Sequence, residues 1–106
     1  MWASRGEALS LEDEIRTLLK TGKVIIGAKR AIQAVKLGKA KAVILASLIP
    51  KWIEEDVKYY AKLGNIKVIR YRGTSFELGT LCGKPFPITT IAVIDPGESR
   101  ILELEG

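Results

Sequence analysis

The chain has 106 residues, 47% hydrophobic and 27% charged, with 17 Lys and Arg against 12 Asp and Glu for a net charge of +5. That length suits one domain with one folded unit, and the mix excludes a disordered or low-complexity chain. No histidine is present and Cys82 is the only cysteine, so imidazole bases, intrachain disulfides and cysteine-rich zinc sites are excluded.

Ser10 is placed to cap a first helix, with Asp13 three residues on and Leu11, Ile15, Leu18 and Leu19 at helical spacing up to Gly22. Val24 to Ile26 reads as a strand that Gly27 breaks, and a second helix begins near Ala28, carries Ala31, Ile32 and Val35, and stops at Gly38. The apolar run from Ala42 to Ala46 fits a strand buried on both faces. Pro50 suits the first turn of a third helix, whose core face is Ile53, Val57, Tyr60 and Ala61 and which Gly64 closes. Ile66 to Tyr71 is a third strand. Thr74 and Glu77 form a capping box for a fourth helix ending near Cys82 and Gly83. Lys84 to Pro87 is a proline-stiffened loop, Thr89 to Ile94 a fourth strand, Asp95 to Glu98 a turn, and Ile101 to Leu104 a short extended end. Alternation of helix and strand predicts helices on both faces of a parallel or mixed sheet, a compact α/β/α sandwich in one domain, 1–106, with residues 1–10 as a loosely ordered extension.

Charge is unevenly placed. From Ile15 to Ile53 nine basic residues occur with no acid, and from Val57 to Phe76 five more, again with none. That pattern fits either a solvated lysine-rich surface or a face for a polyanion. Residues 1–10 lack an apolar targeting core, and no apolar run approaches the roughly 20 residues of a membrane span. The cysteine usage fits an intracellular protein. Gln33 and Asn65 are the only side-chain amides, a scarcity typical of heat-adapted proteins.

Enzyme readings fare poorly. In Gly22 to Lys29 the lysine does not follow the second glycine and no hydroxyl comes after it, so it is not a phosphate loop. Glu54, Glu55 and Asp56 are helix neighbours that point apart, with Lys58 one turn from Glu54 as a surface partner. Cys82 lacks an activating base. The stronger candidates are three loops expected at one sheet edge: Gly27-Ala28-Lys29-Arg30, where free helix amides and two cations suit a phosphate; Ala46 to Pro50, with Ser47 and Leu48; and Lys84-Pro85-Phe86-Pro87-Ile88. Phe86 and Ile88 read as more than simple core. An apolar group here either stacks on unpaired bases or folds back over the sheet edge.

Four segments, Gly22 to Lys29, Glu55 to Leu63, Gly73 to Lys84 and Asp95 to Leu102, with their Glu-Leu-Gly-Thr and Pro-Gly-Glu-Ser runs, resemble the L-thirty-e family of archaeal and eukaryotic large-subunit ribosomal proteins. The resemblance covers about Leu11 to Leu104. It implies a three-layer α/β/α sandwich with a four-stranded mixed sheet, and a superfamily that binds kink-turns, sharply bent RNA internal loops. It implies ribosomal RNA and neighbouring ribosomal proteins as partners and a cytoplasmic, ribosome-associated, non-catalytic role. No cofactor, metal, membrane or small-molecule substrate is expected. The family's binding positions fall on Gly27 and Lys29 in the first loop and on Phe86 and Ile88 in the late loop. Leu48 stands where the family often carries an asparagine, and a leucine cannot hydrogen-bond a base edge. Ala28, Arg30, Ser47, Lys84 and Pro87 complete the expected RNA-binding set. A non-ribosomal kink-turn or messenger-binding regulator of the same superfamily is the alternative, and a metabolite-binding α/β module with incidental basicity is the rival class.

Overall fold

The structure, a computed structural model, describes residues 10–103. Helix α1 spans Leu11–Thr21 and buries Ile15 and Leu18. Glu12, Asp13 and Glu14 lie in its first turn and Lys20 in its last, the arrangement the helix dipole favours. The Ser10 hydroxyl makes no capping bond; its carbonyl accepts the Glu14 N–H at 3.0 Å instead. Strand β1 is Lys23–Ile26, α2 is Ala28–Lys36, β2 is Ala42–Ser47, α3 is Lys51–Gly64, β3 is Lys67–Thr74, α4 is Ser75–Leu81 and β4 is Thr90–Asp95.

The strands form one sheet in the order β1-β4-β2-β3. β2 and β3 are parallel, whereas β4 runs antiparallel to both β2 and β1. Strand β2 shows why its sequence is continuously apolar. Ala42, Ile44 and Ala46 face a core with Ile15 and Leu18 of α1 and Leu78 of α4. Val43 and Leu45 face a second core with Ala31, Ile32 and Val35 of α2 and Ile53 and Val57 of α3. The register pairs Ile44 with Ile91 and Val43 with Ala92, so neighbouring strands send like faces to like layers, and α1 and α4 cover one side, α2 and α3 the other. This is the expected three-layer sandwich with a four-stranded mixed sheet.

Some local expectations shift. Pro50 is the residue before α3 rather than inside it, and Gly64 is its last helical residue, with Asn65 supplying the left-handed cap at φ 55°; asparagine tolerates that conformation better than most side chains. The extended end expected from Ile101 is a 3-10 turn over Ile101–Glu103. Its Glu103 N–H bonds the Arg100 carbonyl at 2.9 Å, and Ile101 is drawn into the α1 core, so burial of that side chain and a local turn replace strand pairing. Leu104 and most of the N-terminal extension lie outside the described residues.

The Pro-Gly-Glu-Ser run closes the sandwich at this point. The Ser99 hydroxyl donates to the Glu14 carbonyl at 2.8 Å and accepts the Ile101 N–H at 3.2 Å. The buried Glu14 carboxylate accepts the Arg100 N–H. Gly97, at φ 58°, lies so close to the Thr21 backbone that no Cβ fits. Ser99→Ala should therefore destabilise the fold by about 1–3 kcal/mol, the usual effect of removing a partner from a buried polar network. Urea titration should show a lower midpoint with an unchanged slope.

Candidate nucleic-acid interface

The direction of each strand decides which loops meet. β1, β2 and β3 all leave the sheet at one edge, and β4 enters from that same edge. The β1–α2, β2–α3 and β3–α4 connections and the 82–89 segment before β4 therefore converge. Short backbone bonds join them: Gly27 N–H to the Thr90 carbonyl at 3.0 Å, Ala46 N–H to Thr89 at 2.9 Å and Ile88 N–H to Ser75 at 2.9 Å.

Gly27 has φ 114°, a backbone that other residues adopt only with strain. No side chain caps α2 and no acid lies in its first turn. The free amides of that turn and the positive end of its dipole are thus left for an external anion. Lys29 and Arg30, both exposed, follow immediately. A cleft of about 500 Å³ opens beside this turn, lined by Gly27, Ala28 and Arg30 on one side and Lys84, Phe86 and Pro87 on the other, with Ile88 and Thr89 completing it.

The late loop is held by α4. Thr74 Oγ1 accepts the Glu77 N–H at 3.2 Å and Glu77 Oε1 accepts the Thr74 N–H at 2.8 Å, completing the expected capping box. Lys84 N–H then bonds the Gly79 carbonyl at 2.9 Å. Gly79 is buried against the Phe86 carbonyl, where an added Cβ would collide with that oxygen. The loop is thereby fastened near both ends, and Phe86 stands half exposed at 50%.

Ile88 corrects an expectation. It is only 2% exposed and packs with Leu78, Ile91 and Ile44 in the α1/α4 core. Its alternation with exposed Pro87 and its approach to β4 turn it inward, so it braces the loop from beneath. In the β2–α3 loop the Ser47 hydroxyl donates to the Tyr71 carbonyl at 3.0 Å, which commits its proton within the protein. Leu48 is 92% exposed at φ 55°, an unusual backbone for a bulky side chain. Neither Ser47 nor Leu48 lines the cleft, and Lys29 lines a neighbouring depression on α2.

Two residues the sequence reading passed over shape this edge. Gly79 sits inside a helix, where glycine costs about 0.8–1 kcal/mol relative to alanine; that cost is a local sign of a close approach. Arg70 had no such sign. Its guanidinium donates to the Ala46 carbonyl at 3.1 Å and pairs with Glu54 Oε1 at 3.1 Å, tying the end of β2 to α3. Lys58 also reaches Glu54, at 2.7 Å. Hydrogen bonds from Lys58 and Arg70 hold the Glu54 carboxyl below its ordinary value. Burial raises the pKa of the Cys82 thiol, against a smaller opposing effect of Lys84, so it is not an activated thiolate. Among the described residues no helix is long and apolar enough to cross a membrane, and no group of three or more acidic or cysteine side chains is placed to hold a metal ion.

A four-stranded mixed sheet with helices on both faces and a cationic loop edge defines a small α/β/α sandwich class. Residues 10–103 match the family described as "Ribosomal protein L7Ae/L30e/S12e/Gadd45 family". The chain is 56% identical over 97 residues to "Large ribosomal subunit protein eL30" of Sulfurisphaera tokodaii, covering 92% of each chain. It is 55% identical over 100 residues to the protein of the same name from Methanocaldococcus jannaschii, covering 94% of this chain and 91% of the relative. The chain belongs to the L7Ae/L30e/S12e/Gadd45 family of ribosomal proteins.

Gly79→Ala tests the seating of the late loop. The helix-propensity gain of about 1 kcal/mol is opposed by a backbone collision that should cost about 1–3 kcal/mol. The expected result is a lower melting temperature together with displaced amide resonances of residues 84–88. Arg70→Gln tests the tie at β2. Because the folded pKa of Glu54 lies below its unfolded value, its contribution is present above about pH 4.5 and is lost as pH falls through the folded value. The variant should therefore lose stability at neutral pH and show a shallower decline on acidification than the parent.

Proposed function

We propose that this chain is a structural constituent of the large ribosomal subunit, acting in the cytoplasm on the ribosome, and that its sheet-edge cleft binds ribosomal RNA at a kink-turn beside neighbouring ribosomal proteins. The observation that carries this reading is the cleft itself. It sets the uncapped, acid-free start of α2 opposite the half-exposed Phe86 on a fastened loop. Its relatives are named as large-subunit ribosomal proteins.

The residues divide the work by chemistry. Lys29, Arg30 and the first-turn amides of α2 neutralise phosphates crowded at a bend. Lys84 adds a cation across the cleft. Phe86 offers its ring to an unstacked base, and sequence-tolerant stacking of this kind is worth about 1–3 kcal/mol per base. Gly27 allows the close approach, Pro87 stiffens the loop and Ile88 supports it from the core. Leu48 presents apolar surface where a base-edge donor is absent, so recognition rests on shape. The kinked form is favoured because it makes more of these contacts than a straight duplex does.

Two substitutions test the division. Lys29→Ala should weaken binding and reduce the salt slope of the affinity by about one unit if the lysine neutralises one phosphate; an unchanged slope removes that contact. Phe86→Ala should weaken a kinked RNA about 10-fold or more while sparing a straight duplex of equal length, in line with the loss of one stacked base. Equal losses on both RNAs would sink the stacking role. Sedimentation of the protein with large subunits separates the ribosomal assignment from a free regulatory protein of the same family.

A further inference from the structure

The loop cleft does not end at α2. A second depression of about 340 Å³ runs along the outer side of the helix, lined by Ile25, Lys29, Arg30, Gln33, Ala34, Leu37 and Lys39. Ile25 and Arg30 line both hollows, so the two adjoin at the start of α2. Ile25 lies on β1, an edge strand of the sheet, so no further strand flanks the groove on that side.

We propose that this groove carries the phosphate backbone of the RNA stem leaving the loop cleft. The inference rests on the RNA reading of that cleft and extends it to a second contact at Lys39. Three features select this occupant. The first is charge: Lys29, Arg30 and Lys39 are all exposed, no acid lines the groove, and none of the three is ion-paired among the described residues. The second is the apolar part of the lining, Ile25, Ala34 and the exposed Leu37, a low-dielectric surface that concentrates the field of the cations beside it. The third is adjacency, because the groove meets the cleft at Ile25 and Arg30 and carries cations from Lys29 to Lys39. The nine residues of α2 rise about 13 Å. That length is enough to meet more than one phosphate of a strand.

Lys36 lies on the other flank of the same helix. Its amino group sits 4.8 Å over the Tyr60 ring, and it does not line the groove. It therefore serves as a charge-matched control three positions from Lys39, which follows the end of the helix.

The experiment measures affinity against salt for a minimal kinked RNA and for versions in which either stem is lengthened by about half a helical turn. The protein is tested as parent, Lys39→Gln, Gln33→Glu and Lys36→Gln, each checked for an unchanged melting temperature. One lengthened stem should steepen the parent's salt slope by about 0.9 for each added phosphate contact. Lys39→Gln should erase about one such contact, so that on that RNA alone the affinity falls about three- to fourfold less than the parent's between about 0.05 and 0.2 M salt. Gln33→Glu should weaken the same RNA further, and Lys36→Gln should leave the length-dependent gain intact. Retained preference for kinked RNA with no dependence on either stem's length overturns the groove's role and spares the loop cleft. Absence of any preference for kinked RNA overturns the reading of the cleft, and that of the groove with it. Lys36→Gln matching Lys39→Gln also overturns the proposal, since the effect would then be net charge. A labelled polyglutamate peptide is titrated in parallel. Saturable binding that Lys39→Gln abolishes, alongside length-independent RNA binding, overturns the proposal in favour of an acidic peptide.

Discussion

Strand β4 enters the sheet between β1 and β2 and runs against both, and the geometry of the candidate interface depends on that reversal. An all-parallel sheet would deliver the segment before its last strand to the opposite edge. Here the antiparallel pairing, locked by Ile91 and Val93 in one core and Ala92 in the other, carries residues 84–88 back beside Gly27. A one-residue slip of β4 would turn Ile91 and Val93 out of their layer. The register that builds the core is therefore also the register that brings the uncapped start of α2 and an aromatic ring to one cleft.

Within that frame the loops are shaped by close approach and by ties to regular structure. Gly79 lets the Phe86 backbone settle on α4, and the capping box at Thr74 and Glu77 fixes where α4 begins. Arg70 does similar work at the end of β2 by bridging the Ala46 carbonyl to Glu54. These groups support contact surfaces from behind. The surfaces themselves stay polar and exposed, as at Lys29, Arg30 and Lys84, or apolar and exposed, as at Leu48 and Phe86. The charge map follows the same division: α2 carries no acid, whereas Glu54 is drawn into pairs with Lys58 and Arg70 on α3 and β3.

Local signals in the chain were sufficient for the element order, the apolar stripe of α1, the doubly buried β2 and the capping box of α4. Each is set by interactions among residues a few positions apart, or by a face whose periodicity shows in the order of residues. The cationic loop at Gly27 was legible for the same reason, since a glycine, a helix start and two cations are contiguous. The late loop was legible only in part. Phe86 and Ile88 are two positions apart in the same proline-rich segment, yet one is half exposed and the other is sealed in the core. Nothing adjacent distinguishes them, because the choice is made by where β4 joins its neighbours.

Composition and spacing thus specified the layers, the helix starts and the basic, histidine-free character of the chain, all of which arise from short-range chemistry. The long-range contacts settled the rest. Arg70 against Ala46, Ser99 against Glu14, and the groove shared by Ile25 and Lys39 join residues that lie far apart along the chain. Such contacts exist only once the sheet order is set. They turn an uneven distribution of lysines and one exposed aromatic into a surface with a position and a direction.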